Sequence, residues 1–97
     1  MLDIREENGG MVCVFSGKLD TAACLEVEKA LTARARPATG PVVFDLDGVT
    51  FVVSMFLRLC IQTCKDVGTP RFSIVNACPA VRKVFALAGL DALITIR

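Results

Sequence analysis

Any chemistry in this chain must rest on thiols, carboxylates, hydroxyls or lysine amines, because its 97 residues include no histidine. That absence removes the commonest general base and the commonest zinc ligand together. The five cysteines are Cys13, Cys24, Cys60, Cys64 and Cys78. An odd number, three of them within apolar runs, predicts small buried hydrophobes in a reducing compartment. Cys60 and Cys64 fall one helical turn apart, but no second close pair completes a four-thiolate zinc site, and no metal or other cofactor is expected. Cys78 precedes Pro79 at the expected start of a helix, where the dipole can lower a thiol pKa and suggest a nucleophile. A Cys–His pair within the chain is excluded, so no catalytic residue is assigned and the chain is not read as an enzyme. Asp45 and Asp47 point the same way if both lie in a strand. Gly48 instead places Asp47 at a turn, which Asp47 would stabilise. A glycine-rich phosphate loop and a Gly-x-Ser-x-Gly elbow are both missing.

The elements that would position these groups follow from hydrophobic spacing. Leu2–Glu7, the turn signal Asn8-Gly9-Gly10 and the apolar run Met11–Phe15 read as a hairpin. Ser16–Leu19 leaves the sheet, and Asp20 or Thr21 caps a helix whose apolar face is Ala23, Val27, Ala30 and Leu31, with Glu26, Glu28, Lys29 and Arg34 opposite. Residues 37–41 form a loop. Val42–Leu46 is a near-continuous apolar run, as in a strand covered on both faces, and Asp47-Gly48 turns the chain. Ser54 is placed to cap a second helix that runs to about Val67. Leu57, Ile61 and Cys64 are its expected buried stripe, with Arg58, Gln62, Thr63 and Lys65 outside. Arg71–Asn76 is a strand, Cys78-Pro79 opens a third helix that Gly89 stops, and Leu93–Ile96 is the last strand. The order β-β-α-β-α-β-α-β predicts a single-domain α/β sandwich over 1–97, a mixed, largely parallel sheet flanked by helices.

Composition narrows the class of function. The chain is 54% apolar and 22% charged, as in a globular protein. The longest apolar stretch, around Phe51–Ile61, is interrupted by Ser54 and Arg58 and is too short for a membrane span. The acidic start, Met1–Glu7, does not resemble a signal peptide, so a cytoplasmic location is expected. A net charge of +1 with scattered lysines and arginines lacks the footprint of a nucleic-acid binder.

Three collinear segments carry a resemblance. They are Ser16-Gly17-Lys18-Leu19-Asp20; Val43-Phe44-Asp45-Leu46-Asp47-Gly48-Val49-Thr50-Phe51; and Val81-Arg82-Lys83-Val84-Phe85-Ala86-Leu87-Ala88-Gly89-Leu90. Together they resemble the STAS family: the bacterial anti-sigma factor antagonists and the related domains of sulphate transporters. The resemblance implies a partner-switching regulator of transcription. Such a protein binds an anti-sigma factor or serine-kinase-like ATPase until phosphorylation of a serine at the start of the second helix breaks the complex. Where the family has Asp-Ser-Ser-Gly-Leu, this chain has Val53-Ser54-Met55-Phe56-Leu57. Met55 therefore replaces the usual phosphoacceptor, and a thioether cannot take a phosphate.

The resemblance makes Val53, Ser54, Met55, Phe56 and Arg58 the partner-binding candidates. Ser54 is either a displaced phosphoacceptor or only a helix cap. Met55 and Phe56 face a partner or fill the core, while Val53 favours the core. An alternative reading is a STAS scaffold subunit of a signalling complex or a lipid or anion transport assembly, without phosphorylation switching. The apolar corner and exposed strand edges also suit a homodimer.

Overall fold

The structure, a computed structural model, describes residues 2–7, 9–33 and 40–97. Alternating apolar residues in Leu2–Glu7 (β1) and Gly10–Leu19 (β2) form an antiparallel hairpin that pairs Leu2 with Phe15 and Ile4 with Cys13. Helix α1 spans Thr21–Ala33, and β3 runs from Val42 to Val52. Helix α2 covers Ser54–Val67, followed by β4 (Phe72–Val75), α3 (Pro79–Leu87), a 3-10 turn at Leu90–Ala92 and β5 (Thr95–Ile96). The five strands lie side by side in chain order, with only the β1–β2 pair antiparallel. The mixed, largely parallel sheet flanked by helices is therefore as expected.

Three successive parallel crossovers of one hand, all stepping in the same direction, place their helices on one face of the sheet. Burial agrees. In β2, Met11, Cys13 and Phe15 are buried, whereas Val12, Val14 and Ser16 are half-buried. In β3, Val42, Phe44 and Leu46 point inward, and Val43 and Asp45 are half-buried. The expectation of a strand covered on both faces is thus corrected: one face carries the helices and the other is open.

The inward face meets the helices through an aromatic cluster. Phe15 packs edge-on against Phe44 and Phe56, with centroids 4.9 and 5.3 Å apart, and Phe44 packs on Phe72 at 4.9 Å. Cys24, Val27 and Leu31 of α1 and Val81 and Phe85 of α3 complete the core. In α1, Ala30 is exposed and Cys24 takes the central inward position instead. Arg34 and most of the 37–41 loop lie outside the described residues.

Two strands outrun their sequence signals. β2 continues through Ser16–Leu19, and β3 passes through Asp47-Gly48 to Val52 without turning. Register shifts lie between Val14 and Ser16 and between Gly17 and Lys18, and at each β3 supplies one extra residue. These are bulges, which bend and re-aim a strand without ending it. Gly48 permits the first, because a Cβ there would lie 2.9 Å from the Ser16 Cβ. Asp47 does not stabilise a turn. Asp45 is the organiser: its Oδ1 accepts from the Asp47 amide at 3.0 Å and from Asn76 Nδ2 at 3.1 Å. The last strand contracts to two residues, since Leu93 and Ile94 close the 3-10 turn by bonding back to the Leu90 carbonyl.

Candidate partner-binding site at the start of α2

The parallel strands deliver their carboxyl ends, and the amino ends of the helices, to one end of the molecule. There the Val53 amide donates to the Leu19 carbonyl at 3.2 Å, tying the entry of α2 to the end of β2. Asp20 Oδ1 caps α1 by accepting from the Ala23 amide at 2.9 Å, as its side-chain type predicts.

Ser54 is not a cap. Val53 occupies the N-cap position with extended backbone and no side-chain cap bond, and Ser54 is the first helical residue. Its side chain is exposed, and its hydroxyl has no hydrogen-bond partner among the described residues. The cap reading is thereby corrected, for a geometric reason. A capping oxygen must precede the first helical residue to reach back to the free amides.

The other candidates divide between surface and core. Phe56 is fully buried in the aromatic cluster, so its ring fills the core. Val53 and Met55 are half-buried against that core, and Arg58 is exposed. Met55 and Arg58 line a groove of about 360 Å³ along α2, together with Leu59, Ile61, Gln62 and Lys65, with Glu28 of α1 on its far side. Helical spacing sets Ser54, Arg58 and Lys65 on one stripe (i, i+4, i+11). Neither Arg58 nor Lys65 has an ion-pair partner among the described residues.

Of the expected buried stripe of α2 only Cys64 is fully buried: the observed stripe comprises Phe56, Cys60, Thr63, Cys64 and Val67, and Leu57 and Ile61 are only half-buried. Thr63, expected on the surface, is buried and satisfies its hydroxyl by donating to the Leu59 carbonyl at 2.8 Å. One surface residue of this corner ends the second resembling segment but is not among the partner-binding candidates. Phe51, paired with Lys18 at the end of β3, is 48% exposed. The available signal was an aromatic residue immediately before a helix start.

None of the five cysteines, all among the described residues, forms a disulfide. Burial pushes the Cys60 thiol well above its ordinary pKa, and the neighbouring Cys24 and Cys64 push it the same way. Cys24 is also raised, by burial and then by Asp20. Such groups are neutral, inert packing. Cys78 is half-buried, with Sγ 3.7 Å from the Val49 carbonyl oxygen. Among the described residues no three acidic, cysteine or histidine side chains gather as a metal site, and no helix is long and apolar enough to cross a membrane.

The STAS domain model matches residues 1–97. The chain belongs to the STAS domain family. A relative, the anti-sigma-F factor antagonist RsfB of Mycobacterium tuberculosis, is 26% identical over 89 residues, spanning 91% of this chain and 73% of that protein. An anti-sigma factor antagonist from Mycobacterium paratuberculosis superposes with a TM-score of 0.87 at 27% identity, over 99% of this chain and 83% of that one. Unphosphorylated SpoIIAA, an anti-sigma factor antagonist, gives 0.80 at 22% identity over 100% and 88%, a likeness of fold alone.

Proposed function

We propose that this chain is a non-enzymatic, cytoplasmic antagonist that acts as a single STAS domain. Its partner is a serine-kinase-type anti-sigma factor, docked at the start of α2 through Val53, Ser54, Met55 and Arg58. Phe56 supports that corner from beneath, and Phe51 extends it. Ser54 takes the phosphoacceptor role that Met55 cannot fill. The observation that carries this reading is the exposed Ser54 hydroxyl, free of any capping bond at the first position of α2.

The chemistry is a phosphoryl transfer. The Ser54 oxygen attacks the γ-phosphorus of ATP bound to the partner, its proton is lost, and ADP leaves. The product suits its position, because the free amides of the first helical turn and Arg58 one turn later both favour an anion at Ser54. A dianion at an apolar contact then opposes docking through the cost of desolvating it.

The test is capture of partners on the purified protein in native lysate, with and without ATP, followed by intact-mass analysis of the bait. The expected result is a kinase-like ATPase that ATP releases, with one phosphate added to the wild type and none to Ser54→Ala. A phosphate that persists on Ser54→Ala would overturn the assignment of Ser54. Capture that ATP does not affect would indicate the unswitched scaffold. Failure to capture any such ATPase would overturn the partner assignment.

A further inference from the structure

Of the two edges of the sheet, β5 offers only two residues and β1 offers six. Alternate residues of an antiparallel edge strand direct their amide and carbonyl groups away from the sheet, ready to pair with another strand. Asp3, Arg5, Glu6 and Glu7 are all exposed on this edge. Charges on an edge normally discourage pairing, but Asp3 and Arg5 are complementary to each other when two copies pair about Ile4.

We propose that the β1 edge is the seam of a homodimer, in which two copies pair β1 antiparallel about a twofold axis at Ile4. In that register Ile4 faces Ile4 of the second copy, Asp3 faces Arg5 of the second copy, Arg5 faces its Asp3, and Leu2 faces its Glu6. A shift by two residues one way sets Asp3 against Asp3. The opposite shift sets Arg5 against Arg5 and Asp3 against Glu7. Directly opposed like charges destabilise a strand pair and opposed unlike charges stabilise it, so the sequence favours this register over both neighbouring ones that keep the helices of the two copies on one side; a shift by four would pair Arg5 with Glu7 but set Glu6 against Glu6.

The local structure fits this seam. Asp3 and Arg5 lie on the open face, where they now pair within one strand at 3.0 Å and remain 61% and 59% exposed. Exchanging that contact for two crossed ones needs no core rearrangement. On the helix side, Ile4 and Leu2 are half-buried, and Leu2 lines a groove of about 360 Å³ with Ala23, Glu26, Val27 and Ala30 of α1. The second copy's Ile4 extends this apolar border. The result is one ten-stranded sheet with all helices on one side, and α2 remains free on each copy. One strand of contact makes this a weak dimer, of micromolar to millimolar strength.

Sedimentation equilibrium from micromolar to millimolar protein tests the proposal. The wild type should pass from monomer to dimer. Arg5→Asp alone and Asp3→Arg alone should each weaken dimerisation by about tenfold or more, since each change acts twice across the twofold. The double exchange Asp3→Arg with Arg5→Asp should restore it, and an equimolar mixture of the two single variants should form a heterodimer. Circular dichroism confirms that each variant is folded. A wild type that stays monomeric throughout, or a dimer indifferent to the exchanges, would overturn the seam. A dimer whose amide shifts fall on Phe51–Arg58 in place of β1 would overturn it as well.

Discussion

Phe56 touches Phe15 edge-on and lies 6.3 Å from Phe44, so its ring joins α2 to the two central strands. Truncation to alanine should destabilise the protein by about 3–5 kcal/mol, read from the midpoint of a urea transition. A charged replacement should prevent folding, so it cannot report on partner binding. Ser54 should behave oppositely. Without a capping bond to lose, Ser54→Ala should shift stability by less than about 0.5 kcal/mol, whereas Asp20→Ala should cost about 1 kcal/mol. Comparable losses at both positions would return Ser54 to a capping role. The buried thiols make a pH prediction. Unfolded Cys60 releases its proton near the ordinary value of 9.0, while the folded protein retains it. Stability from Cys60 and Cys24 is thus intact below that value and falls as pH rises above it, because the unfolded chain then binds fewer protons. Urea midpoints that rise between pH 8 and 10 would contradict this sign.

Among the elements, β3 shows how local signals can mislead. Asp47-Gly48 has the composition of a turn, yet pairing with β2 continues on both sides of it, so the extra residues appear as bulges. The glycine is required by proximity to Ser16 and not by its own backbone angle. Gly48→Val should therefore separate β2 from β3 locally and destabilise by about 1–3 kcal/mol, measured by denaturation. Gly89 differs: at φ +75° it follows α3 in the left-handed region, with open space around it. Gly89→Ala should cost about 1 kcal/mol through backbone strain alone. Helix boundaries were legible, because Asp20, Pro79 and Gly68 are short-range signals. The rotation of α2 was not. Leu57–Ile61 and Phe56–Cys60 are both apolar pairs at i, i+4, and only the position of the sheet chooses between them.

For the molecule as a whole, pairing is concentrated between β2 and β3, while β5 rests on a two-residue ladder with β4. Hydrogen exchange should accordingly show the slowest amides in β2 and β3, opening only with global unfolding, and faster local opening at β5. Equal protection at β5 would refute that hierarchy. The open face, with Val12, Val14, Val43 and Val75 half-buried, separates this sheet from parallel sheets enclosed by helices on both sides. That asymmetry was hidden in a sequence whose β3 reads as continuously apolar. It arises because every crossover steps the same way across the sheet, a property of strand order and not of any one segment.

Element type, chain order and the family resemblance could be read from the sequence, since spacing, caps and short motifs are local and each is complete within a few residues. That Val53-Ser54-Met55-Phe56-Leu57 departs from the Asp-Ser-Ser-Gly-Leu pattern of the family was equally visible as a difference of residue type. What only the tertiary structure decided is which side chains reach solvent. Phe56 turns inward, Ser54 stands free instead of capping, Thr63 is buried, and Phe51 is exposed. These outcomes depend on how α2 is rolled over the sheet and how far β3 extends, and both are set by packing against residues distant in the chain.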